Sequence, residues 1–394
     1  MARTMNRTTL ASLTSWIDLR GGWPEVCWGL VILSLSFNLY APGNPQPGDF
    51  AMVALLCVPI LVIRFRMPAA VRRAVLSLAA FVTYVFACNF FWAALTAEYD
   101  FLKSSAFYAY NFAVFLGYLV MLGERGDDWL RWTLYGFAAT LVMLVALSIP
   151  YSHKAQSGRL QLFFVNPNQL AYHVLLCASI VVILARRYRV PTPVLYGLLL
   201  CAFYIELRTY SRAGVLGIAL LGALQIVKRP TLLTLAMLPL LAFALYLDLQ
   251  ALDTTLWESR LDLVQSSTTE DYLTDRGIER LIEHPRYLVA GAGEGGYGRF
   301  HHAKLEIHSS AATVLFSYGF IGLGLFLIFL RWLSAATGPH TMLLLIPALS
   351  YSLFHQGLRA RPFWLMLAVA LGMGVLSSVE ATRARQRTLT IAER

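Results

Sequence analysis

Charged residues are scarce in this sequence of 394 residues, and their scarcity excludes a soluble globule of ordinary composition. Only 14% of the residues are Asp, Glu, Lys or Arg, whereas 58% are hydrophobic, so polar side chains are too few to cover the chain in water. Apolar runs long enough to cross a hydrocarbon layer of about 30 Å recur along the chain. Because the backbone in lipid must satisfy its own hydrogen bonds, these runs predict helices. We expect an all-α polytopic membrane protein.

Patterns for metal binding, disulfides and nucleic-acid binding are also missing. The five cysteines lie in apolar segments without a CxxC pair, so we interpret them as packing residues. There is no DxD element, and although His301 and His302 precede His308, the nearby carboxylates lack metal-ligand spacing. The charge of +10 is divided among short clusters and forms no continuous stripe. We therefore expect no metal, no cofactor and no nucleic-acid partner.

Windows of about 20 residues predict twelve transmembrane helices. Lys and Arg concentrate in the loops that would be cytoplasmic if the N-terminus is inside, so we expect both termini in the cytoplasm. The predicted helices begin near Trp23, Phe50, Ala74, Ser105, Arg131, Gln169, Val190, Ala213, Thr231, Ser309, Thr341 and Phe363. The corresponding divisions are an N-terminal segment at 1–22, helical at 8–20, helices one to nine at 23–249, a loop at 250–308, helices ten to twelve at 309–380 and a tail at 381–394.

The loop at 250–308 is the one long stretch that the sequence predicts outside the membrane. Its pattern predicts a helix from Thr274 to Glu283 that stops before Pro285. A group of glycines then predicts a flexible turn before the chain re-enters the membrane. These glycines are Gly291, Gly293, Gly295, Gly296 and Gly298.

Several predicted external loops carry arginine, although Lys and Arg normally favour the cytoplasmic side of the membrane. A cation on the opposite side needs an interaction that stabilises it there. An anionic ligand provides one, because guanidinium groups bind phosphate oxygens in pairs and could stabilise a departing diphosphate. The alternative is pairing with lipid headgroups or nearby acids. The arginines are Arg159, Arg208, Arg212, Arg359 and Arg361, with six more cations in the long loop, and the acids are Glu206, Glu258, Asp262, Asp275 and Glu279.

His308 stands where the long loop becomes the tenth predicted helix. A neutral imidazole there could take a proton from a hydroxyl group, although a structural role at the helix start is the alternative. We interpret His284 as a turn residue, His173 as a hydrogen-bonded core group and His355 as a minor candidate near Arg359.

Four short motifs between residues 159 and 322 occur in an order typical of one known family. His308-Ser309 is followed, after nine positions, by Gly319 and then Gly322. Tyr210-Ser211-Arg212-Ala213-Gly214 lies at an external helix start, and Arg159 precedes Asn166-Pro167-Asn168. Arg276 precedes His284-Pro285 and Gly291-Ala292-Gly293. Together these motifs resemble the O-antigen ligase and O-antigen polymerase superfamily of bacterial envelope glycosyltransferases.

The resemblance implies a GT-C-like fold and metal-independent glycan transfer at the periplasmic face of the bacterial inner membrane. The implied donor is a glycan on undecaprenyl diphosphate, and the implied acceptor is the lipid A-core oligosaccharide, with membrane lipids as surroundings. Carried over by position, His308 is the base or acceptor-orienting group, while Arg159, Arg212 and Arg276 hold and stabilise the diphosphate. Arg208 and Arg280 are further candidates that lack a clear motif match.

Other activities remain open at this point. A ligase joins the finished polymer to a lipid A-core sugar, whereas a polymerase extends one lipid-linked chain with another from the same donor site. The compact external portion and the His308 motif favour the ligase. Nothing marks the polypeptide groove of an oligosaccharyltransferase. A transporter would need polar groups through the middle of the bilayer, but ionisable residues here concentrate towards one end.

Overall fold

The computed structural model describes residues 22–40, 44–63, 67–151, 158–228, 273–274, 276–300 and 306–392, excluding the side chains of 226–228 and 377–392. Within these ranges the regular structure is helical and no strand occurs, which confirms the all-α prediction. The N-terminal segment, the ninth predicted helix and residues 250–272 and 301–305 of the long loop lie outside the described residues.

The helices are numbered α1 to α12 in chain order. Short 3₁₀ turns at Pro285–Leu288 and Tyr297–Arg299 complete the regular structure of the described loop. The helices are α1 Trp23–Ser34, α2 Pro47–Val62, α3 Ala69–Thr96, α4 Asp100–Arg125, α5 Asp127–Tyr151, α6 Pro167–Arg187, α7 Thr192–Thr209, α8 Arg212–Lys228, α9 Arg280–Glu283, α10 Ser310–Thr337, α11 Pro339–Phe354 and α12 Arg361–Ala392.

Every predicted transmembrane helix that falls within the described residues coincides with a helix of the structure. Of the described helices, 5 are long and apolar enough to cross a membrane: α3, α4, α5, α6 and α10. They fit a multi-pass membrane protein, since about 20 residues are needed to span the hydrocarbon core. The total of twelve crossings and the GT-C-like arrangement stay predictions.

The chain divides into two compact units. Unit 1 comprises residues 1–52 and 127–263, and unit 2 comprises residues 53–126 and 264–394.

In unit 1, helix α6 is deeply buried, because 89% of its most apolar 18-residue window is buried. Trp28 of α1 stacks on Trp129 of α5 with ring centroids 5.2 Å apart. His173 of α6 lies 3.1 Å from the hydroxyl of Ser36, which confirms its interpretation as a hydrogen-bonded core group.

In unit 2, α3 packs along α10 and against α4, while α12 packs on α4. Aromatic rings fill the centre of this packing. Phe81, Tyr108 and Tyr318 meet edge to face at centroid separations of 5.8 to 6.1 Å, a favoured geometry because a positive ring edge meets a negative ring face.

All five cysteines of the chain are free.

A kink in α10 lets the end of the long loop pack directly against the helix backbone. Gly319 has φ 66° and ψ −171°, far from helical values. A Cβ atom at Gly319 would lie 2.2 Å from the carbonyl oxygen of Val289, so only glycine permits this close passage. Beside the kink, the carbonyls of Phe316 and Ser317 accept hydrogen bonds from the N–H groups of Ala292 and Gly293. The first glycine of the motif that begins at His308 therefore has a structural reason.

The glycines of the long loop form a packed segment, so the prediction of a flexible turn is wrong for residues 291–296, all of which are buried. A Cβ atom at Gly291 would lie 2.2 Å from the carbonyl oxygen of Ser317, and one at Gly295 would lie 2.8 Å from the backbone of α4. Side chains of α3 bind the segment too, because Tyr84 donates to the carbonyl of Ala290 and Trp92 to that of Gly291. Glycine is required at these positions because the backbones of α4 and α10 pass too close to leave room for a Cβ atom.

The helix predicted from Thr274 to Glu283 is also shorter than expected. Leu273 and Thr274 are helical, and Arg280–Glu283 forms a separate α-helical turn before Pro285. Gly277 has φ +66°, a left-handed conformation that ends a helix. Backbone bonds from Gly277 and Ile278 back to Thr274 and Leu273 close a turn there instead.

Replacing Gly319 by alanine should lower the thermal stability of the protein markedly. The new Cβ would meet the Val289 carbonyl, and the left-handed backbone alone costs alanine about 1–3 kcal/mol. The measurement is the fraction of monodisperse protein after heating in detergent. Gly324→Ala is the matched control, because Gly324 lies in the same helix with nothing within 4 Å of its Cβ position. Equal midpoints for the two variants would contradict the role of the kink.

Candidate functional site

The six residues predicted from the sequence to form the site fall into two groups, one in each unit. Unit 1 contains Arg159, Arg208 and Arg212, and unit 2 contains Arg276, Arg280 and His308.

In unit 1, the Asn166-Pro167-Asn168 element begins helix α6. Asn166 is the N-cap, and its side-chain oxygen accepts a hydrogen bond of 2.9 Å from the N–H of Gln169. Pro167 occupies the first helical position, where a missing N–H costs nothing. Asn168 accepts a bond of 3.0 Å from Nη2 of Arg159. The motif therefore combines a helix start with an anchor for the arginine.

Arg159 also joins the start of α6 to the end of α7. Its Nε donates to the carbonyl of Thr209 at 2.9 Å, and the N–H of Leu160 donates to the carbonyl of Arg208 at 2.8 Å. The guanidinium of Arg208 donates to the hydroxyl of Tyr204 at 3.2 Å. Arg159 and Arg208 thus lie at one end of unit 1, because the residue that follows Arg159 is bonded to the backbone of Arg208.

The Tyr210-Ser211-Arg212-Ala213-Gly214 element makes the turn between α7 and α8. Tyr210 has a left-handed backbone, φ 52°, and the Ser211 hydroxyl accepts a bond of 3.3 Å from the N–H of Gly214. Arg212 is exposed at the first position of α8. All three predicted arginines of unit 1 therefore lie at the same end, where α6 and α8 begin, and helix N-termini favour anions as arginines do.

Beneath this turn lies a buried carboxyl group, that of Glu206. It is 0% exposed, and neither carboxyl oxygen has a hydrogen-bond partner among the described residues. The hydroxyl of Thr209 donates to the backbone carbonyl of Glu206 instead. A Cβ atom at Gly214 would lie 1.9 Å from Oε2 of Glu206, so the glycine of the motif makes room for this carboxyl group.

In unit 2, Arg276 and His308 are neighbours. The N–H of His308 donates to the backbone carbonyl of Arg276 at 2.9 Å, and the guanidinium of Arg276 donates to the carbonyl of Phe354. The Nδ1 atom of His308 lies 2.8 Å from the carbonyl oxygen of Glu306. Because a carbonyl only accepts, Nδ1 carries the proton and the lone pair of the neutral ring is on Nε2.

Helix α10 begins directly after this histidine. Ser309 is the N-cap, and its hydroxyl accepts a bond of 3.3 Å from the N–H of Ala312. The His308 side chain is exposed, so a solvent-facing imidazole stands at a fixed helix start. This arrangement can accept a proton from a bound hydroxyl group.

Arg280 differs from Arg276 because its side chain is only 1% exposed. Its guanidinium carbon lies 5.9 Å from the ring centroid of Tyr297, and its Nε lies 3.8 Å from a carboxylate oxygen of Glu279. Burial lowers the pKa of the Arg280 guanidinium and raises that of the Tyr297 phenol. Arg280 therefore presents little of its charge to solvent.

A buried ionic cluster among the described residues of unit 2 could not be predicted from the sequence. Glu294 is 0% exposed, and its Oε1 accepts bonds from Nε and Nη2 of Arg359 at 2.9 and 2.7 Å. Its Oε2 accepts bonds of 3.0 Å from the hydroxyls of Tyr108 and Tyr318. The sequence marks Arg359 only as an external arginine. No local pattern indicates that it pairs with Glu294, because the two residues are 65 positions apart.

Arg359 also reaches a second carboxylate. Its Nη1 donates to Oε1 of Glu306 at 2.8 Å, and its Nη2 donates to the hydroxyl of Tyr297 at 3.1 Å. Burial acts to lower the pKa of the Arg359 guanidinium, but the two glutamates outweigh it and hold that pKa well above its ordinary value. Arg359 was predicted to be external, and its carboxylate partners agree with the alternative that such arginines pair with nearby acids.

Arg299 of the long loop is likewise held by protein groups. Its guanidinium carbon lies 4.6 Å from the ring centroid of Trp92 and 4.8 Å from those of Phe101 and Phe300. It donates to the carbonyl of Ala292 as well. Cation–π contacts of this kind are favourable where the charge is partly desolvated, so Arg299 fixes the glycine segment to α3 and α4.

The other histidine candidates that the structure describes, His284 and His355, both contact aromatic rings. His284 packs against Phe300 at 5.2 Å, in agreement with its interpretation as a turn residue. His355 stacks on Tyr351 at 4.8 Å, and its carbonyl accepts a bond of 3.0 Å from the Ser310 hydroxyl. His301 and His302 lie outside the described residues.

Removing the arginine of the buried pair should destabilise the protein strongly. Arg359→Ala would leave the Glu294 charge buried without its cation, at a cost of about 3–5 kcal/mol. The measurement is the thermal unfolding midpoint in detergent. Adding Glu294→Gln to this variant should restore part of the loss, because the buried charge is then absent.

Arg286→Ala is the matched control for Arg359→Ala. Arg286 belongs to the long loop that carries Glu294 but is exposed, with its guanidinium over the ring of Tyr287 at 4.9 Å. Exposed residues of this kind usually change stability by less than about 0.5 kcal/mol. Similar midpoints for the two single variants would show that the buried pair does not stabilise the fold.

No protein-family profile and no curated protein matches this chain. The resemblance to the O-antigen ligase and polymerase superfamily therefore rests on the four motifs and their contacts, and the activity is a proposal.

Proposed function

We propose that this protein is a membrane-embedded glycosyltransferase of the O-antigen ligase type. It moves a polysaccharide from undecaprenyl diphosphate to the lipid A-core oligosaccharide at the periplasmic face of the bacterial inner membrane. The observation that carries the proposal is the exposed His308 imidazole beside Arg276, whose Nδ1 lies 2.8 Å from the carbonyl oxygen of Glu306. From this contact we infer that the lone pair is on Nε2. A general base must present such a lone pair to the acceptor hydroxyl.

In the proposed reaction one bond forms, one bond breaks and one proton moves. The acceptor oxygen attacks the anomeric carbon of the donor sugar while Nε2 of His308 takes the hydroxyl proton. The bond between the anomeric carbon and the diphosphate oxygen breaks, and the electron pair leaves with the diphosphate. A guanidinium group near that oxygen stabilises the developing negative charge more in the transition state than in the ground state.

Arginines are assigned to the diphosphate in this proposal. Arg276 is the first candidate because its backbone is bonded to that of His308. Arg212 is exposed at the start of α8, and Arg159 is held at its base by Asn168 and Thr209. Arg208 and Arg280 remain weaker candidates, since Arg208 contacts Tyr204 and Arg280 is buried. Guanidinium groups can neutralise a diphosphate by bidentate hydrogen bonds.

The test is glycan transfer with purified protein, an undecaprenyl-diphosphate-linked donor, rough lipopolysaccharide as acceptor and excess EDTA. Wild type should form ligated lipopolysaccharide. His308→Ala should lower the rate about 100- to 10,000-fold, the usual contribution of a general base. Arg276→Ala and Arg212→Ala should lower it as well, through lost stabilisation of the leaving group.

Two matched controls should keep the wild-type rate. Arg286→Ala removes an exposed arginine from the loop that contains Arg276, and Arg186→Ala removes an exposed arginine from the C-terminal end of α6. A wild type that lengthens the lipid-linked donor would establish the polymerase instead. A folded wild type that binds or moves the donor without transfer would refute the enzyme proposal and favour a transporter.

A further inference from the structure

The Nδ1 bond of His308 depends on the position of one backbone carbonyl, that of Glu306. This bond of 2.8 Å determines which ring nitrogen carries the proton. In a neutral histidine only the other nitrogen can then act as a base. The placement of Glu306 is therefore as important to the proposed base as the imidazole itself.

Glu306 is held in place by its side chain. The residue is exposed, and 47% of its side-chain surface is accessible, but its Oε1 accepts a bond of 2.8 Å from Nη1 of Arg359. An exposed side chain with no such partner would sample several rotamers, and its backbone would be less restrained. The ion pair thus restrains the residue whose carbonyl orients His308.

Arg359 can restrain Glu306 because its own position is fixed by buried groups. Two of its nitrogens bind Oε1 of Glu294, which is 0% exposed and receives hydroxyl bonds from α4 and α10. The N–H of Glu294 donates to Asn89 of α3 at 2.8 Å. The guanidinium is therefore bonded to a carboxylate residue that α3, α4 and α10 hold in place. Its remaining nitrogen, Nη1, donates to Glu306.

A second connection joins the same two segments. The Ser310 hydroxyl accepts a bond of 2.7 Å from the N–H of Gly357 and donates to the carbonyl of His355 at 3.0 Å. Ser310 lies two residues after His308, and Gly357 lies two residues before Arg359. The segment that carries Arg359 is thus attached to both sides of the histidine.

We propose that Arg359 and Glu306 are positioning residues for His308, which they hold with its Nδ1 proton on the Glu306 carbonyl and its Nε2 lone pair towards the acceptor hydroxyl. This inference rests on the proposed glycan transfer. Neither residue touches the reacting atoms, and both act through the imidazole. Outer hydrogen-bond partners of this kind commonly change activity by about 10- to 100-fold.

Glu306→Ala is the decisive variant because it leaves the buried pair of Glu294 and Arg359 intact. It should lower kcat about 10- to 100-fold with KM nearly unchanged, the pattern for an interaction that matters in the transition state. Glu306→Gln should retain more of kcat, since an amide oxygen can still accept from Arg359. Glu283→Gln is the matched control, because Glu283 is an exposed glutamate at the end of α9.

A second readout does not depend on activity. Nitrogen-15 NMR of histidine-labelled protein at about pH 8, where an ordinary histidine is neutral, reports which ring nitrogen carries the proton. The His308 signal is assigned by its loss in His308→Gln. Wild type should show the proton on Nδ1, and Glu306→Ala should show a mixture with the proton on Nε2.

The two readouts separate the two proposals. Retention of both kcat and the Nδ1 proton in Glu306→Ala would overturn the positioning role while leaving glycan transfer standing. A wild type that transfers nothing would refute the proposed function, and the NMR spectra would still decide whether Arg359 and Glu306 control the tautomer. A wild-type spectrum with the proton on Nε2 would overturn the inference directly.

Discussion

A carboxylate removed from water has to be neutralised, and the arrangement of unit 2 depends on how Glu294 meets this requirement. Its carboxylate oxygens accept hydrogen bonds from two nitrogens of Arg359 and from two tyrosine hydroxyls, and its N–H donates to Asn89. These partners come from α3, α4, α10 and the segment before α12. Breaking such a pair costs more than forming it gains, so the cluster fixes where the long loop and the helix ends can lie.

The positions of the helices could be predicted from the sequence because the solvent imposes them. A bilayer accepts long apolar runs only as helix, and the predicted helices that fall within the described residues are all present. The boundaries were less accurate. The loop helix from Thr274 was predicted too long because Gly277 adopts a left-handed backbone, a choice that depends on tertiary contacts and not on local pattern.

The candidate site was predictable where a motif places residues close together in the chain. His308 and Ser309 do stand at the start of α10, and Arg159 does contact the Asn166-Pro167-Asn168 element. The glycines of the long loop gave the wrong expectation, because a glycine required for flexibility and one required for close approach look alike in sequence. Glu294 and Arg359 could not be paired, since no local pattern relates residues so far apart.

The contact between Glu206 and Gly214 has a consequence for how this sequence can change over time. No side chain larger than hydrogen can occupy position 214 while the carboxyl group keeps its place, since a Cβ atom would lie 1.9 Å from Oε2. A smaller residue at 206 would relieve this restriction, so the two positions are mutually dependent. Among natural variants, residues other than glycine at 214 should therefore occur together with a shorter side chain at 206, a correlated pattern that spans the turn carrying Arg212.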